Sequence, residues 1–358
     1  MNLFQINTEN PRYIHGYELL VKDILWEYDD IHIHDLNSIY IDEMLIDFNG
    51  NKIYKQAEFI SNIKGDIGDN YYIMLDKSGK ILLSTTKQEA SNALCIGGFH
   101  YGRVRIGSEP CDVAVGIVPN SIWTIRFHPN CKNYDSMVYL GNFWGDIYLT
   151  RSRVDAGNLD DLNRGIGGVL YDSSAYGWYP ATGKEGYNLF TFIDALKKVG
   201  KAPASGYEFL IGSDGAPEGL NYNNTNAWTS LENKNKCKCG LIPNSVSNLN
   251  VCDLVGNVWK WNRDIISRNF RDVDNIVVNV KNLINIEKDS ANLKNLIQWE
   301  IMPGIGRGRC SGGVGALLSG GYWFGGDNSG SRCFDVTDYP WSTCVLIGCW
   351  ATTQCYKS

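Results

Sequence analysis

The stretch "DLVGNVWKW", Asp253 to Trp261, decides the fold of this 358-residue chain. Gly256 and Asn257 predict a turn, because both residue types are favoured where the backbone reverses. The residues after that turn alternate as in a strand, which places Trp259 and Trp261 on one face. Two large rings on one face bury a large apolar area, so the stretch predicts a core strand that anchors its domain.

The composition predicts a folded protein with a sizeable core. The chain is 44% hydrophobic and 12% aromatic, which is incompatible with extensive disorder, and its length suggests two domains. The net charge is -6 and no Lys/Arg run stands out, so a nucleic-acid partner is not expected. The amino terminus lacks the pattern of a signal peptide, and no apolar run approaches the roughly 20 residues of a membrane span. We therefore expect a soluble chain, without membrane insertion, made in a reducing compartment.

The residue composition and the hydrophobic pattern of the chain change near residues 92 and 93. Residues 1–92 read as a small β-rich module with hairpin turns at Asn49-Gly50 and Ser78-Gly79. Residues 93–358 contain short apolar runs broken by Gly, Asn and Pro, which favours one irregular core over a repeat. The expected organisation is a β-rich module followed by a second domain.

Two helices are predicted in the second domain. Apolar residues recur at helical spacing from Leu189 to Val199, with Asn188 placed to cap the start and Gly200 to end the helix. A weaker helical pattern covers residues 282–299.

Several motifs resemble the formylglycine-generating enzyme family. They are "DLVGNVWKW", "ALKKVGKAPASGYEFLIGSDGA" (residues 195–216), "SGGYW" (319–323) and "IGCWA" (347–351). The resemblance implies an α+β, C-type lectin-like fold over residues 93–358. In those enzymes two Cys perform copper-dependent oxidation, and the matching positions here are Gly325 and Gly330. Glycine cannot ligate a metal, so we expect no cofactor and no catalysis, with a copper oxidase of this type as the alternative.

The segment from Gly320 to Gly348 resembles more closely the variable region of diversity-generating-retroelement variable proteins, a family that includes phage tropism proteins. The residues shared with the family, here called the frame positions, are Gly320, Gly321, Trp323, Gly330-Ser331-Arg332, Pro340 and Gly348. This family has the same fold as the enzymes above. The resemblance implies a binding surface whose residues are diversified between copies of the gene.

The restricted set of residue types in this segment is consistent with that resemblance. Lys, Glu, Gln and Met are absent between Tyr322 and Thr353. In the family, variation arises by misreading adenines, mostly at Asn-type codons. Such codons reach Phe, Tyr, Cys, Ser, Asp, Gly, Thr, Val and Leu, but not Lys, Glu, Gln, Met or Trp. A buried, strand-rich segment would also avoid Lys and Glu, and this explanation stays open.

Eleven residues are the candidate ligand-binding positions. Small polar and aromatic side chains on a fixed backbone make adaptable contacts at low entropy cost, as in antibody loops. The alternation of Asp335 with Thr337, and of Ser342 with Cys344, predicts strand residues on one face. The full set is Tyr322, Phe324, Gly325, Asn328, Asp335, Thr337, Asp338, Ser342, Cys344, Val345 and Leu346.

The sequence therefore predicts a non-catalytic ligand-binding protein. The resemblance implies a protein or other surface ligand on a host or partner, a location on a virion or cell surface, and possible oligomers. Without the resemblance, the missing export signal would indicate the cytoplasm.

The sequence contains residues for three other candidate metal sites. Cys237, Cys239 and Cys252 could hold a metal, but their spacing is unusual and buried thiols are the simpler interpretation. In "HIHD" (His32, His34, Asp35), the two His share one strand face and could bind zinc, but a third ligand on that face cannot be placed and a solvated strand face is favoured. A calcium lectin would need clustered oxygen ligands, for which the candidates are Asn221, Asn223, Asn224, Asn226 and Glu218.

Overall fold

The computed structural model describes residues 31–48, 51–86, 93–151, 175–219, 226–267, 300–302, 306–310 and 314–357. Within these ranges the protein is mostly β. The strands are, in chain order, β1 (Ile31–Asp35), β2 (Ser38–Ile41), β3 (Met44–Phe48), β4 (Asn51–Lys55), β5 (Glu58–Ile60), β6 (Asn70–Asp76), β7 (Ile81–Ser84), β8 (Ala93–Arg105), β9 (Val113–Ile117), β10 (Trp123–Thr124), β11 (Phe127–Pro129), β12 (Met137–Tyr139), β13 (Phe143–Asp146), β14 (Ala202–Pro203), β15 (Trp259–Ser267), β16 (Glu300–Met302), β17 (Gly306–Cys310), β18 (Val314–Ser319), β19 (Phe334–Val336), β20 (Ile347–Cys349) and β21 (Ala351–Lys357). The α-helices are α1 (Leu189–Val199) and α2 (Gly206–Gly212).

The first strands form three sheets. β1, β2 and β5 pair in that order, β3 and β4 form a hairpin, and β10, β8, β6 and β7 form a sheet to which β9 adds beside β8. Both predicted hairpins are confirmed: Phe48 pairs with Asn51, and Gly79 takes the left-handed φ of 85° after β6. Because β8 pairs with β6, strands from both sides of residues 92 and 93 share one sheet. The domain division at that point remains a prediction.

Helix α1 has the predicted ends. The Asn188 side chain accepts from the backbone N–H of Thr191 (3.0 Å), and the Thr191 hydroxyl accepts from the backbone N–H of Asn188 (2.7 Å). Gly200 ends the helix with a φ of 84°, a conformation that favours glycine. The second predicted helix, residues 282–299, lies outside the described residues. Neither described helix is long and apolar enough to cross a membrane.

Two further sheets complete the fold. One has the order β11-β21-β13-β12, with β14 added beside β21; the other has the order β16-β17-β19-β18-β15-β20. The motif strand β15 lies between an antiparallel partner, β18, and a parallel partner, β20. A strand with neighbours on both edges belongs inside its sheet, as the tryptophan pattern predicts.

The turn and strand of the motif also form as predicted. Gly256 and Asn257 have φ values of 74° and 58°, and Trp259 and Trp261 are buried. The Asn257 amide accepts from the Cys237 N–H (2.9 Å) and donates to the Cys237 carbonyl (3.1 Å). One side chain therefore ties the turn to a segment about twenty residues earlier in the chain.

The opposite face of β15 is buried as well. Lys260 is fully buried, and its Nζ donates to the Gly256 carbonyl (2.7 Å). Burial lowers the pKa of Lys260 to about 7, an effect that the Asp253 carboxylate opposes. Burial raises the pKa of Asp253 to about 6, although its Oδ2 accepts from the Gly240 N–H at 2.6 Å. The motif thus combines an apolar anchor with an internal polar network.

A third buried titratable group, His100, lies on β8. The ring of His100 contacts the Asn70 side-chain oxygen at 2.8 Å and the Tyr148 hydroxyl at 2.9 Å. Burial lowers the pKa of His100 to about 3, so the ring is neutral at physiological pH. The groups that contact this ring, from Asn70, Tyr148 and Ser136, are neutral and would not compensate a buried positive charge.

We expect the neutral His100 to make stability fall as the pH drops from about 6.5 to about 3. The unfolded chain takes up a proton on this ring near pH 6.5, whereas the folded protein resists protonation until about pH 3. The difference corresponds to about 4–5 kcal/mol at pH 3. Denaturant unfolding from pH 8 to pH 3 measures it, with His100→Gln as the control that cannot titrate. Equal pH profiles for the two proteins would contradict the assignment.

Candidate ligand-binding face

Both ends of residues 320–346, here called the C-terminal segment, are fixed to strand β15. Before the segment, Ser319 of β18 pairs with Lys260; after it, Ile347 of β20 pairs with Trp259. Inside the segment, β19 turns back to pair with β18. The segment therefore leaves one edge of β15 and returns to the other, on a backbone fixed at three places.

Glycine is required where the segment begins. Gly320 and Gly321 have φ values of 86° and 82°, a region that other residues rarely adopt. A Cβ on Gly320 would lie 2.1 Å from the Leu254 carbonyl oxygen, and one on Gly321 would lie 2.1 Å from the Ser329 hydroxyl oxygen. Trp323 follows and is buried in the same hydrophobic core as Trp350. These predicted frame positions hold the backbone.

The Gly330-Ser331-Arg332 element is fixed by a carboxylate from another part of the chain. The Glu218 oxygens accept from the Ser331 N–H (3.0 Å) and from the Ser331 hydroxyl. A Cβ on Gly330 would lie 2.1 Å from Glu218 Oε2, so a side chain at this position would displace the carboxylate from its present place. Burial raises the pKa of Glu218, while its bonds to Ser331 act in the opposite direction.

Pro340 lies in a turn that is attached to helix α1. The Ser342 N–H donates to the Tyr339 carbonyl (2.8 Å), which closes a β-turn with proline at its favoured second position. The Pro340 carbonyl accepts from the N–H of Leu189 at 3.1 Å. Four residues after Pro340, the Cys344 carbonyl accepts from the Gly183 N–H at 2.9 Å. The second half of the segment is therefore supported by residues that precede it by about 150 positions.

Nine of the eleven predicted positions reach the surface. Phe324 and Val345 are exposed. The half-buried positions are Tyr322, Asn328, Thr337, Asp338, Ser342, Cys344 and Leu346. Several of the half-buried residues also contact the core, so they combine support with exposure.

The expectation of exposure is wrong for Gly325 and Asp335. Asp335 is fully buried in β19, where its carboxylate accepts from the Thr337 N–H (2.8 Å). A Cβ on Gly325 would lie 2.4 Å from the Ser329 hydroxyl oxygen, so the position is closed. The predicted strand for Ser342 and Cys344 is also wrong, because both follow the proline turn outside any strand.

A column of rings connects the core to the surface. Trp259 of β15 stacks on Tyr322, with ring centroids 6.0 Å apart, and Tyr322 contacts Phe324 edge-on at 4.5 Å. Edge-to-face contacts at this distance are favourable. Phe324 is thus an exposed side chain with a rigid base.

Sequence reasoning missed two exposed aromatic residues in the segment. Tyr339 and Trp341 stack with centroids 5.1 Å apart and an interplanar angle of 5°. Trp341 is 57% exposed. The pattern Tyr-Pro-Trp-Ser was the available signal, because a proline turn presents its flanking side chains to solvent.

Residues outside the C-terminal segment also border this face. The Thr229 carbonyl accepts from the Gly326 N–H (2.8 Å), and the Asn233 side chain donates to the Trp323 carbonyl (2.8 Å). Leu231 lies between these two attachment points and is 78% exposed. No sequence pattern indicated that Leu231 lies next to the segment.

The residues of the other candidate sites lie only partly within the described ranges. No group of three or more His, Cys, Asp or Glu residues in the described ranges could hold a metal ion. Burial raises the pKa of the Cys239 and Cys252 thiols, which opposes thiolate formation. His32 contacts Asp42 at 2.6 Å on the first sheet. Of the proposed lectin residues, Glu218 is engaged by Ser331, and positions 221, 223 and 224 lie outside the described residues.

Comparison with solved structures finds the same fold in tropism determinants. The chain is similar to the Major Tropism Determinant U1 Variant, with a TM-score of 0.66 and 18% identity over 92% of this chain and 84% of that chain. The M1 Variant gives 0.66 and 19%, and the P3c Variant 0.64 and 17%, at the same coverage. No protein-family model and no curated protein matches the chain. The chain thus has the fold of the Major Tropism Determinant variants, and the resemblance noted in its sequence is confirmed at the level of fold.

Proposed function

We propose that this chain is a non-catalytic, receptor-binding protein that recognises its ligand through the C-terminal segment. One observation carries the proposal. Nine side chains that the sequence marks as variable reach the surface, while the frame glycines, Trp323 and Pro340 are buried between them. A fixed backbone that presents small polar and aromatic side chains is the arrangement of antibody binding sites.

The ligand in this proposal is a protein or other molecule on the surface of a host or partner. The similar structures are, by their name, determinants of tropism. By analogy, the chain belongs on a virion or a cell surface, and oligomers would increase its avidity. The scaffold that we propose is a C-type lectin-like domain at residues 93–358, preceded by a β-rich module at residues 1–92.

The alternative, a formylglycine-generating-type copper oxidase, is disfavoured by geometry. At Gly325 and Gly330 the first side-chain atom would lie 2.4 Å from the Ser329 hydroxyl oxygen and 2.1 Å from a Glu218 carboxylate oxygen, so cysteine at either position would displace these groups. Cys333 is buried and its thiol donates to the Asn328 carbonyl at 2.8 Å. Burial raises the pKa of the Cys344 thiol. A soft-metal site needs converging thiolates, and these residues do not supply them.

The division into frame and variable positions predicts unequal effects on stability. Thr337→Ala should change the free energy of unfolding by about 0.5 kcal/mol or less, and Phe324→Ala by about 1, since both residues are exposed or half-buried. Trp259→Ala and Trp323→Ala should each cost about 3–5 kcal/mol, because both rings are in the core. Denaturant unfolding measures all four, and similar losses in the two pairs would refute the division.

A binding selection tests recognition without knowledge of the natural ligand. The nine surface positions would be randomised with codons of the Asn-derived set in the full, yeast-displayed chain. The library would then be selected against lysozyme and against streptavidin. We expect binders with Kd of about 1 µM or tighter for both proteins. A library of equal size at exposed positions of β1–β5 is the control. Failure of the first library, or equal success of the control, would contradict the proposed function.

Diversification has its own test in DNA. We expect a near-copy of the last hundred or so bases of the gene, differing mainly at adenines, beside a reverse-transcriptase gene. Sequencing of the flanking DNA would reveal it. If no copy is present, the segment is a fixed binding surface and the restricted alphabet requires another explanation.

A further inference from the structure

The exposed Trp341 stands out among the tryptophans of this protein. In the described ranges every other tryptophan is buried or half-buried, whereas 57% of the Trp341 side chain is exposed. Leaving a large apolar ring in water forgoes roughly 1.5–3 kcal/mol of burial. The surrounding turn is ordered by hydrogen bonds, so the exposure does not follow from a loose backbone.

The ring of Trp341 is held in place before any ligand arrives. Tyr339 covers one side of it in a nearly parallel stack, at 5.1 Å and 5°. The turn between them is closed by the bond from Ser342 to Tyr339 and attached to α1 through Leu189 and Pro340. An aromatic ring with few accessible rotamers loses little entropy on binding, and tryptophan is the residue most enriched among energetically dominant interface contacts.

Trp341 is also constant under the proposed mode of diversification. No Asn-type codon reaches tryptophan by misreading of adenines, so the ring stays while its neighbours Ser342, Cys344 and Val345 change. A surface that varies at most positions still needs affinity for each new ligand. A fixed aromatic anchor supplies a constant part of that affinity, and the variable side chains supply the differences between ligands.

We propose that Trp341, positioned by its stack on Tyr339, is a constant anchor that contacts every protein ligand bound by the variable face. This inference rests on the proposed function. The ligand is a folded protein surface that places an apolar or aromatic side chain against the free side of the indole. The exposed side chains of the segment favour such a partner over a carbohydrate, because Phe324 and Val345 also present apolar surface to solvent.

The binders selected against lysozyme and streptavidin test the anchor. Trp341→Ala should weaken at least ten independent binders to both proteins by about tenfold or more, and Trp341→Phe should restore part of the loss. Tyr339→Ala should weaken binding less, and Tyr339→Phe should preserve it because the stack remains. Tyr54→Ala is the matched control, since Tyr54 is also 57% exposed but lies on β4 in the first part of the chain. The Tm of each variant shows that the fold is intact.

The outcomes separate this inference from the proposed function. Binders that keep their Kd within about twofold after Trp341→Ala would overturn the anchor and leave the binding face intact. A library that gives no protein binders would overturn both. A parallel selection on dextran covers carbohydrates: Trp341-dependent binders to dextran, with none to protein, would overturn the assignment of the ligand class.

Discussion

The structure depends on one strand that holds both ends of the binding segment. β15 pairs with β18 on one edge and with β20 on the other, and the C-terminal segment runs between those two partners. The ends are therefore separated by two inter-strand spacings, about 10 Å, whatever lies between them. We call β15, with its pairing to β18 and β20, the clamp. Trp261 of this strand is fully buried, so the strand that holds the segment is also part of the hydrophobic core. Changes in the segment leave this pairing intact, because the pairing lies outside it.

The clamp requires polar groups inside the protein, and each needs a partner. Lys260 lies in the clamp strand and donates to the carbonyl of Gly256, while Asp253 accepts from Gly240. Asn257 bonds both backbone groups of Cys237. Such contacts contribute modestly to net stability, but an unpaired buried group is expensive, so they select one arrangement of the loops over others. The loops that support the segment are held in register mainly by these bonds, since they have little regular secondary structure.

The sequence predicted the parts of the fold that depend on local chemistry. The caps of α1, the turn at Gly256 and Asn257, and the buried frame of the segment all follow from preferences of individual residues. What it missed depends on contacts between distant residues. Aspartate is usually found at the surface, but Asp335 is buried because β19 pairs with β18. Leu231 borders the face because Thr229 and Asn233 bond to the segment nearly a hundred positions away. A local pattern carries no information about such pairings.

The separation of stability from recognition has a limit at Tyr322. Its ring lies between Trp259 in the core and Phe324 at the surface, so it serves both functions. A small residue at this position would remove the base on which Phe324 rests and expose part of Trp259 to water. Thr337 and Ser342 are smaller, polar and half-buried. Diversity at the half-buried positions therefore affects the scaffold unequally: Tyr322 tolerates mainly rings, whereas the polar positions accept most of the available residues. The range of surfaces that this chain can present is set by how far each side chain extends below the surface, as well as by its codons.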